Sequence, residues 1–209
     1  MNPKLIIAIF SFRNELKYVA LAFFIALLIP IIAVILLTHS GIDIISDKLA
    51  SVDKNTNTVE IHDPSGTKPD TPITNEMAWP TTGVVTLEFG MPDLPYELLH
   101  DGIDIANPNG KVGDPIHPFM DGTVTYAGEI FWGFGKHIII DHGNNITSLY
   151  GHLDKIFVVK GQKVTIPQVI GKEGQTGWAT GPHLHFGIYV YGIPANPHTF
   201  LGSRDPPLQ

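Results

Sequence analysis

The sequence predicts a mainly β protein: an all-β or nearly all-β domain preceded by one N-terminal transmembrane helix. Three observations carry this expectation. Residues 18–38 contain no charged side chain. From Met77 onward the chain breaks into short runs of β-branched and aromatic residues separated by Gly, Pro, Asn and Asp. No stretch of helical periodicity competes in that second region.

Residues 1–17 read as a short cytoplasmic N-terminus carrying Lys4, Arg13 and Lys17. Residues 18–38 follow as the membrane helix, because about 20 apolar residues at about 1.5 Å each span a hydrocarbon core of roughly 30 Å. Pro30 is tolerable there, since membrane helices accept a kink. A cleavable signal would have a shorter apolar core ending in small residues; Thr38-His39-Ser40-Gly41 is a poor match. Three Lys or Arg precede the run and Lys48 and Lys54 follow it, which favours a cytoplasmic N-terminus and an external C-terminal domain.

Residues 39–76, rich in Asp, Lys, Asn, Thr, Ser and Pro, read as a polar tether. Its length leaves room for a regulatory contact, with Asn55, Asn57 or Asn75 reaching back to an active site. The domain proper is placed at 77–205, with a tail at 206–209. Strands are expected at 84–89, 102–105, 122–129, 137–141, 146–153, 156–159, 169–173 and 183–190. Turns are expected at Asn109-Gly110, Asp121-Gly122, His142-Gly143-Asn144-Asn145, Lys160-Gly161-Gln162 and Tyr191-Gly192.

Charge and cysteine usage narrow the chemistry. Residues 40–209 carry 10 Lys and Arg against 19 Asp and Glu, a net of −9. Such a domain is a poor partner for nucleic acid. The chain has no cysteine, so any metal site must use His, Asp and Glu.

The histidines point to such a site. His183-Leu184-His185 places two imidazoles two residues apart in a strand-like run, so both point to one face. His100-Asp101-Gly102-Ile103-Asp104 places a histidine and a carboxylate at even spacing, and His152 lies between the two motifs. A catalytic zinc takes three protein ligands and leaves one position open. His100, Asp104 and either His183 or His185 would supply the three. The remaining histidine and His152 would then serve as general base and oxyanion donor. His39, His62, His117, His137, His142 and His198 have no ligand partner at a persuasive spacing and read as structural.

Residues 77–201 also resemble the lysostaphin-type (LytM) zinc endopeptidases, which cut peptide bonds in peptidoglycan. The resemblance rests on Trp79-Pro80, Gly83-Val84-Val85-Thr86, Phe89-Gly90, His100-Asp101-Gly102-Ile103-Asp104, Gly113-Asp114-Pro115-Ile116 and Asp121-Gly122-Thr123-Val124. It continues through Asp141-His142-Gly143, Tyr150-Gly151-His152-Leu153, Gly161-Gln162-Lys163-Val164, Ile170-Gly171, Thr176-Gly177 and Thr180-Gly181-Pro182-His183-Leu184-His185-Phe186. It implies one zinc ion held by His100, Asp104 and His185, with His152 and His183 as the unligated catalytic pair. It further implies a compact antiparallel β-sheet domain of the lysostaphin/LytM type, with a groove for an extended peptide.

Three departures from the family pattern concern substrate positioning rather than metal binding. Gly187 stands where the family often has an acidic residue, Met91-Pro92-Asp93-Leu94 replaces a frequent arginine, and Pro167 replaces a usual glycine. The expected function is a membrane-anchored zinc endopeptidase acting on peptide cross-links or stem peptides of bacterial peptidoglycan. Its partners would be that peptide and the lipid bilayer, with room for envelope, conjugation or virion assembly partners. The alternative is a catalytically silent LytM-like module that binds or activates another cell-wall hydrolase or envelope complex.

Overall fold

In the computed structural model, residues 3–53, 56, 58–65, 67, 71–93, 95–202 and 206–207 are described, the first thirteen by backbone alone. Asn55, Asn57, Leu94, Asp205 and the last two tail residues lie outside the described residues. The chain forms two compact units, 1–40 and 41–209.

The first unit is helical. Helix α1 (Pro3–Leu49) contains the uncharged run, including Pro30, and reaches nine residues into the second unit. Its stretch Leu16–Leu49 is long and apolar enough to cross a bilayer. The large apolar side chains from Tyr18 to Leu37 are mostly exposed, which suits lipid better than water.

The second unit is built from short strands. In chain order these are β1 (Ala50–Asp53), β2 (Thr58–Ile61), β3 (Thr71–Ile73), β4 (Val84–Leu87), β5 (Ile103–Ala106), β6 (Pro115–Ile116), β7 (Gly122–Glu129) and β8 (Lys136–Gly143). There follow β9 (Ile146–Gly151), β10 (Lys155–Ile156), β11 (Lys163–Val164), β12 (Gly171–Lys172), β13 (Leu184–Val190), β14 (Ile193–Ala195) and a short helix α2 (Pro197–Leu201). The main sheet runs β11-β7-β8-β9-β13-β5-β4, with β14 added beside β13. Every recorded pairing is antiparallel.

Local chemistry explains the pieces. Strand β13 (LHFGIYV) is buried on both faces apart from Tyr189, which is why it reads as an almost unbroken apolar run. Asn144 and Asn145 adopt φ 50° and 59° in the β8–β9 turn, as a tight hairpin of right-handed strands requires. Asn196 caps α2, its side chain accepting from the His198 amide at 3.0 Å, and Pro197 opens the helix. Ile103, Ile105, Ile138, Ile140, Phe186 and Ile188 are fully buried and form the centre of one core.

The stretch read as a polar tether is different in the structure. After α1 ends, β1, β2 and β3 form their own antiparallel sheet. Strand β2 alternates half-buried Thr58 and Glu60 with buried Val59 and Ile61. Leu49, Ala50, Val59, Ile61 and Ile73 belong to the same core cluster as the main sheet. The Asn196 amide donates to Ser46 Oγ at 2.8 Å. The compact unit therefore begins at Gly41 rather than at Met77, because burying these side chains needs the main sheet.

Candidate metal centre and catalytic site

Three neighbouring strands converge on one cluster. In the sheet register His185 on β13 lies opposite Asp104 on β5 and opposite Gly151 at the end of β9. His100 precedes β5 by one turn, anchored by backbone bonds between Gly90 and His100 and between His100 and Met91, each 2.8 Å. His152 follows β9 directly. His183 precedes β13 and bridges to Gly174. All five of these residues line one cleft, which also receives Tyr96, Phe134 and Trp178.

His100 Nε2, His185 Nδ1 and Asp104 Oδ1 form a small triangle. The edges are 2.9 Å between the histidines, 3.1 Å from His100 to Asp104 and 3.2 Å from His185 to Asp104. Zinc bonds of about 2.0–2.1 Å in tetrahedral arrangement put ligand atoms roughly 3.3 Å apart. The donor set therefore fits zinc both in chemistry and in spacing. Among the described residues, these three form the one cluster of His, Asp and Glu able to hold a metal ion.

The outer contacts fix which nitrogen of each ring is available. His100 Nδ1 faces the carbonyl of Glu88 at 3.3 Å. A carbonyl only accepts, so the proton sits on Nδ1 and the Nε2 lone pair faces the triangle. By the same reasoning His152 Nδ1–H donates to Thr176 O at 2.8 Å and His183 Nδ1–H to Gly181 O at 2.9 Å. Both rings thus leave Nε2 to face the cleft. The His183 Nε2 lies 3.5 Å from Asp104 Oδ2. The two rings are 4.6 Å apart between centroids.

Burial and charge set the protonation states. Burial alone would raise the Asp104 carboxyl, but bonds to His100 and His185 outweigh it and hold it well below the usual carboxylate range. Burial alone would lower His185, but Asp101 and Asp104 outweigh it and push the metal-free ring up to about 10. His152 goes the other way, down to about 4, through burial and then the neighbouring His183 and His185. It is neutral at pH 7.

The placement of His152 depends on close backbone approaches. Its φ is 60°, an unusual value for a residue with a side chain. A Cβ on Gly174 would lie 2.2 Å from the Asp154 amide nitrogen, so only glycine lets the 174–178 loop come near enough for Thr176 to hold the ring.

The structure brings together all five residues read from the motifs. It gives His142 a buried place instead, with Nδ1–H donating to Asp121 O at 3.0 Å and Nε2 paired with Ser148 Oγ at 2.7 Å. Asn75 lines a different cleft, with Asp121 and Thr165. Sequence reasoning missed Asp101, Tyr189, Tyr96, Phe134 and Trp178. For Tyr189 a signal existed, since it shares strand parity with His185.

Residues 98–197 match the profile of Peptidase family M23. Residues 98–197 thus form a peptidase family M23 domain. Comparison with known proteins finds peptidoglycan DD-endopeptidase ShyA of Vibrio cholerae, 43% identical over 97 residues, covering 46% of this chain and 22% of that protein. Murein hydrolase activator NlpD of Salmonella dublin is 38% identical over 140 residues, covering 67% of this chain and 35% of that protein. The chain thus spans well under half the length of these two relatives. A crystal structure of a zinc-containing peptidase from Vibrio cholerae superimposes with a TM-score of 0.54 at 27% identity, over 73% of this chain and 47% of that one. The LytM-type sheet expected from the motifs is the fold observed.

Proposed function

We propose that this M23 protein is a membrane-anchored zinc endopeptidase that hydrolyses peptide cross-links or stem peptides of bacterial peptidoglycan. The observation that carries the reading is the triangle of His100 Nε2, Asp104 Oδ1 and His185 Nδ1, flanked by His152 and His183, each anchored through Nδ1 on a backbone carbonyl. Zinc would supply Lewis acidity toward a scissile carbonyl and toward water.

The remaining chemistry belongs to the chain. Neutral His152 accepts a proton at Nε2 and returns it to the leaving amine. His183, its Nδ1–H anchored on Gly181 O, is placed to donate from Nε2 to the developing oxyanion. Tyr96 and Trp178, with ring centroids 5.8 Å apart, stand at the cleft where an extended peptide would lie. Helix α1 would tether the domain on the outer side of a membrane, with residues 1–17 cytoplasmic, and confine cutting to a short radius.

The similarity to murein hydrolase activator NlpD supports a second reading, a module that binds or activates another wall hydrolase without cutting. Release of soluble fragments from dye-labelled peptidoglycan by the purified full chain separates the two. The endopeptidase reading predicts chelator-sensitive release. A zinc-loaded chain that releases nothing from several wall types overturns it.

A further inference from the structure

Two buried polar atoms beside the metal triangle have no hydrogen-bonding partner: His185 Nε2 and Asp101 Oδ1. They lie 3.2 Å apart, off the line of a hydrogen bond. Buried orphans of this kind are costly, and each is the natural partner of the other.

We infer that Asp101 is a positioning residue of the metal centre, which fixes the His185 ring and is itself fixed by Tyr189. The inference rests on the reading of His100, Asp104 and His185 as a metal site. When His185 presents the Nδ1 lone pair to a cation, its proton sits on Nε2, facing Asp101 Oδ1. A modest turn of the ring completes that bond. Outer carboxylates of this type hold a ligating histidine in one tautomer and raise its basicity.

The surroundings are built for this contact. The other oxygen of Asp101 accepts from the Tyr189 hydroxyl at 2.5 Å, so the carboxylate is clamped. Side chains 185, 187 and 189 share one face of β13. Residue 187 between them is glycine, and a Cβ there would sit 3.1 Å from the Tyr189 ring and 3.3 Å from its hydroxyl. The phenol thus occupies the space that a side chain at 187 would need. A Cβ on Gly102 would lie 2.5 Å from Phe186 O and 3.0 Å from His185 Cε1, so glycine there lets the Asp101 segment close onto β13. The carboxylate serving His185 therefore enters from the segment before β5, not from β13 itself.

The test uses the full chain in detergent, with zinc affinity read by competition against a chromophoric chelator. Asp101→Asn is expected to weaken zinc about 10- to 100-fold and to shift the absorption bands of the cobalt-substituted protein. Asp101→Glu should recover part of the loss. Tyr189→Phe should weaken zinc less, and should add nothing in the Asp101→Asn background. A merely structural Asp101 would instead lower the melting temperature of the metal-free chain and leave affinity and cobalt bands alone, which overturns the inference. If Asp101→Asn does not fold, unchanged zinc affinity in Tyr189→Phe overturns it equally. A wild-type chain that binds no zinc overturns the underlying metal reading, and this inference with it.

Discussion

Replacing His152 by asparagine isolates chemistry from backbone. The native φ of 60° is a conformation that asparagine accepts more readily than alanine, so the substitution avoids the roughly 1–2 kcal/mol that a left-handed alanine adds. What it removes is a neutral ring held by Thr176 O at 2.8 Å, whose Nε2 faces the cleft. A positioned general acid–base group contributes about 10²- to 10⁴-fold. The loss is therefore about 3–5 kcal/mol of barrier. No edge of the metal triangle involves His152, so zinc content should stay at the wild-type level. The assay is turnover on purified peptidoglycan alongside metal analysis of the same sample. Turnover within about fivefold of wild type, well short of the general acid–base range, would refute the assignment.

The other expectations address the ligands, a buried acid and the domain boundary. His185→Ala removes one corner of the triangle and should lose zinc and activity together; full zinc content in that variant contradicts the ligand set. Glu173 is fully buried, both its oxygens lack a partner, and burial followed by the charge of Asp114 pushes it up to about 7. Its contribution to stability is present below the ordinary value near 4.5 and is lost as pH rises toward 7, because only the unfolded chain then ionises freely. Glu173→Gln should therefore raise the melting temperature at pH 8 and change it little at pH 4.5, and a lower value at pH 8 would sink this reasoning. Ile61→Ala in β2 should cost about 2–5 kcal/mol, as for a core isoleucine. Urea unfolding showing no loss would return residues 50–73 to the status of a tether.

The longer strands bounded by turn residues were legible in the sequence. The run 122–129 was expected and observed with the same ends, because eight residues bounded by Asp121-Gly122 and a loop leave little freedom. Strands β1 to β3 escaped notice for a physical reason. Each is three or four residues long and lies among Asp, Lys, Asn and Thr, so the alternation of Val59 and Ile61 has too few periods to stand out.

The site was legible where even spacing on strands forces side chains to one face, as in His183-Leu184-His185. Spacing left open which of those two histidines joins the triangle. Asp101 was hidden for the opposite reason: it precedes β5, outside strand parity, and its contact depends on Gly102 and Gly187 giving up volume. His142, read as structural because no ligand partner stands at a persuasive spacing, is turned into the core and held by Asp121 O and Ser148.

Mass spectrometry of peptidoglycan treated with the purified full chain, with and without a zinc chelator, tests the central claim most directly. The account predicts new fragments in which a peptide bond has been opened and the glycan left intact, all abolished by the chelator. Fragments cut in the glycan, chelator-resistant cleavage, or no new fragment from a zinc-loaded chain would contradict it.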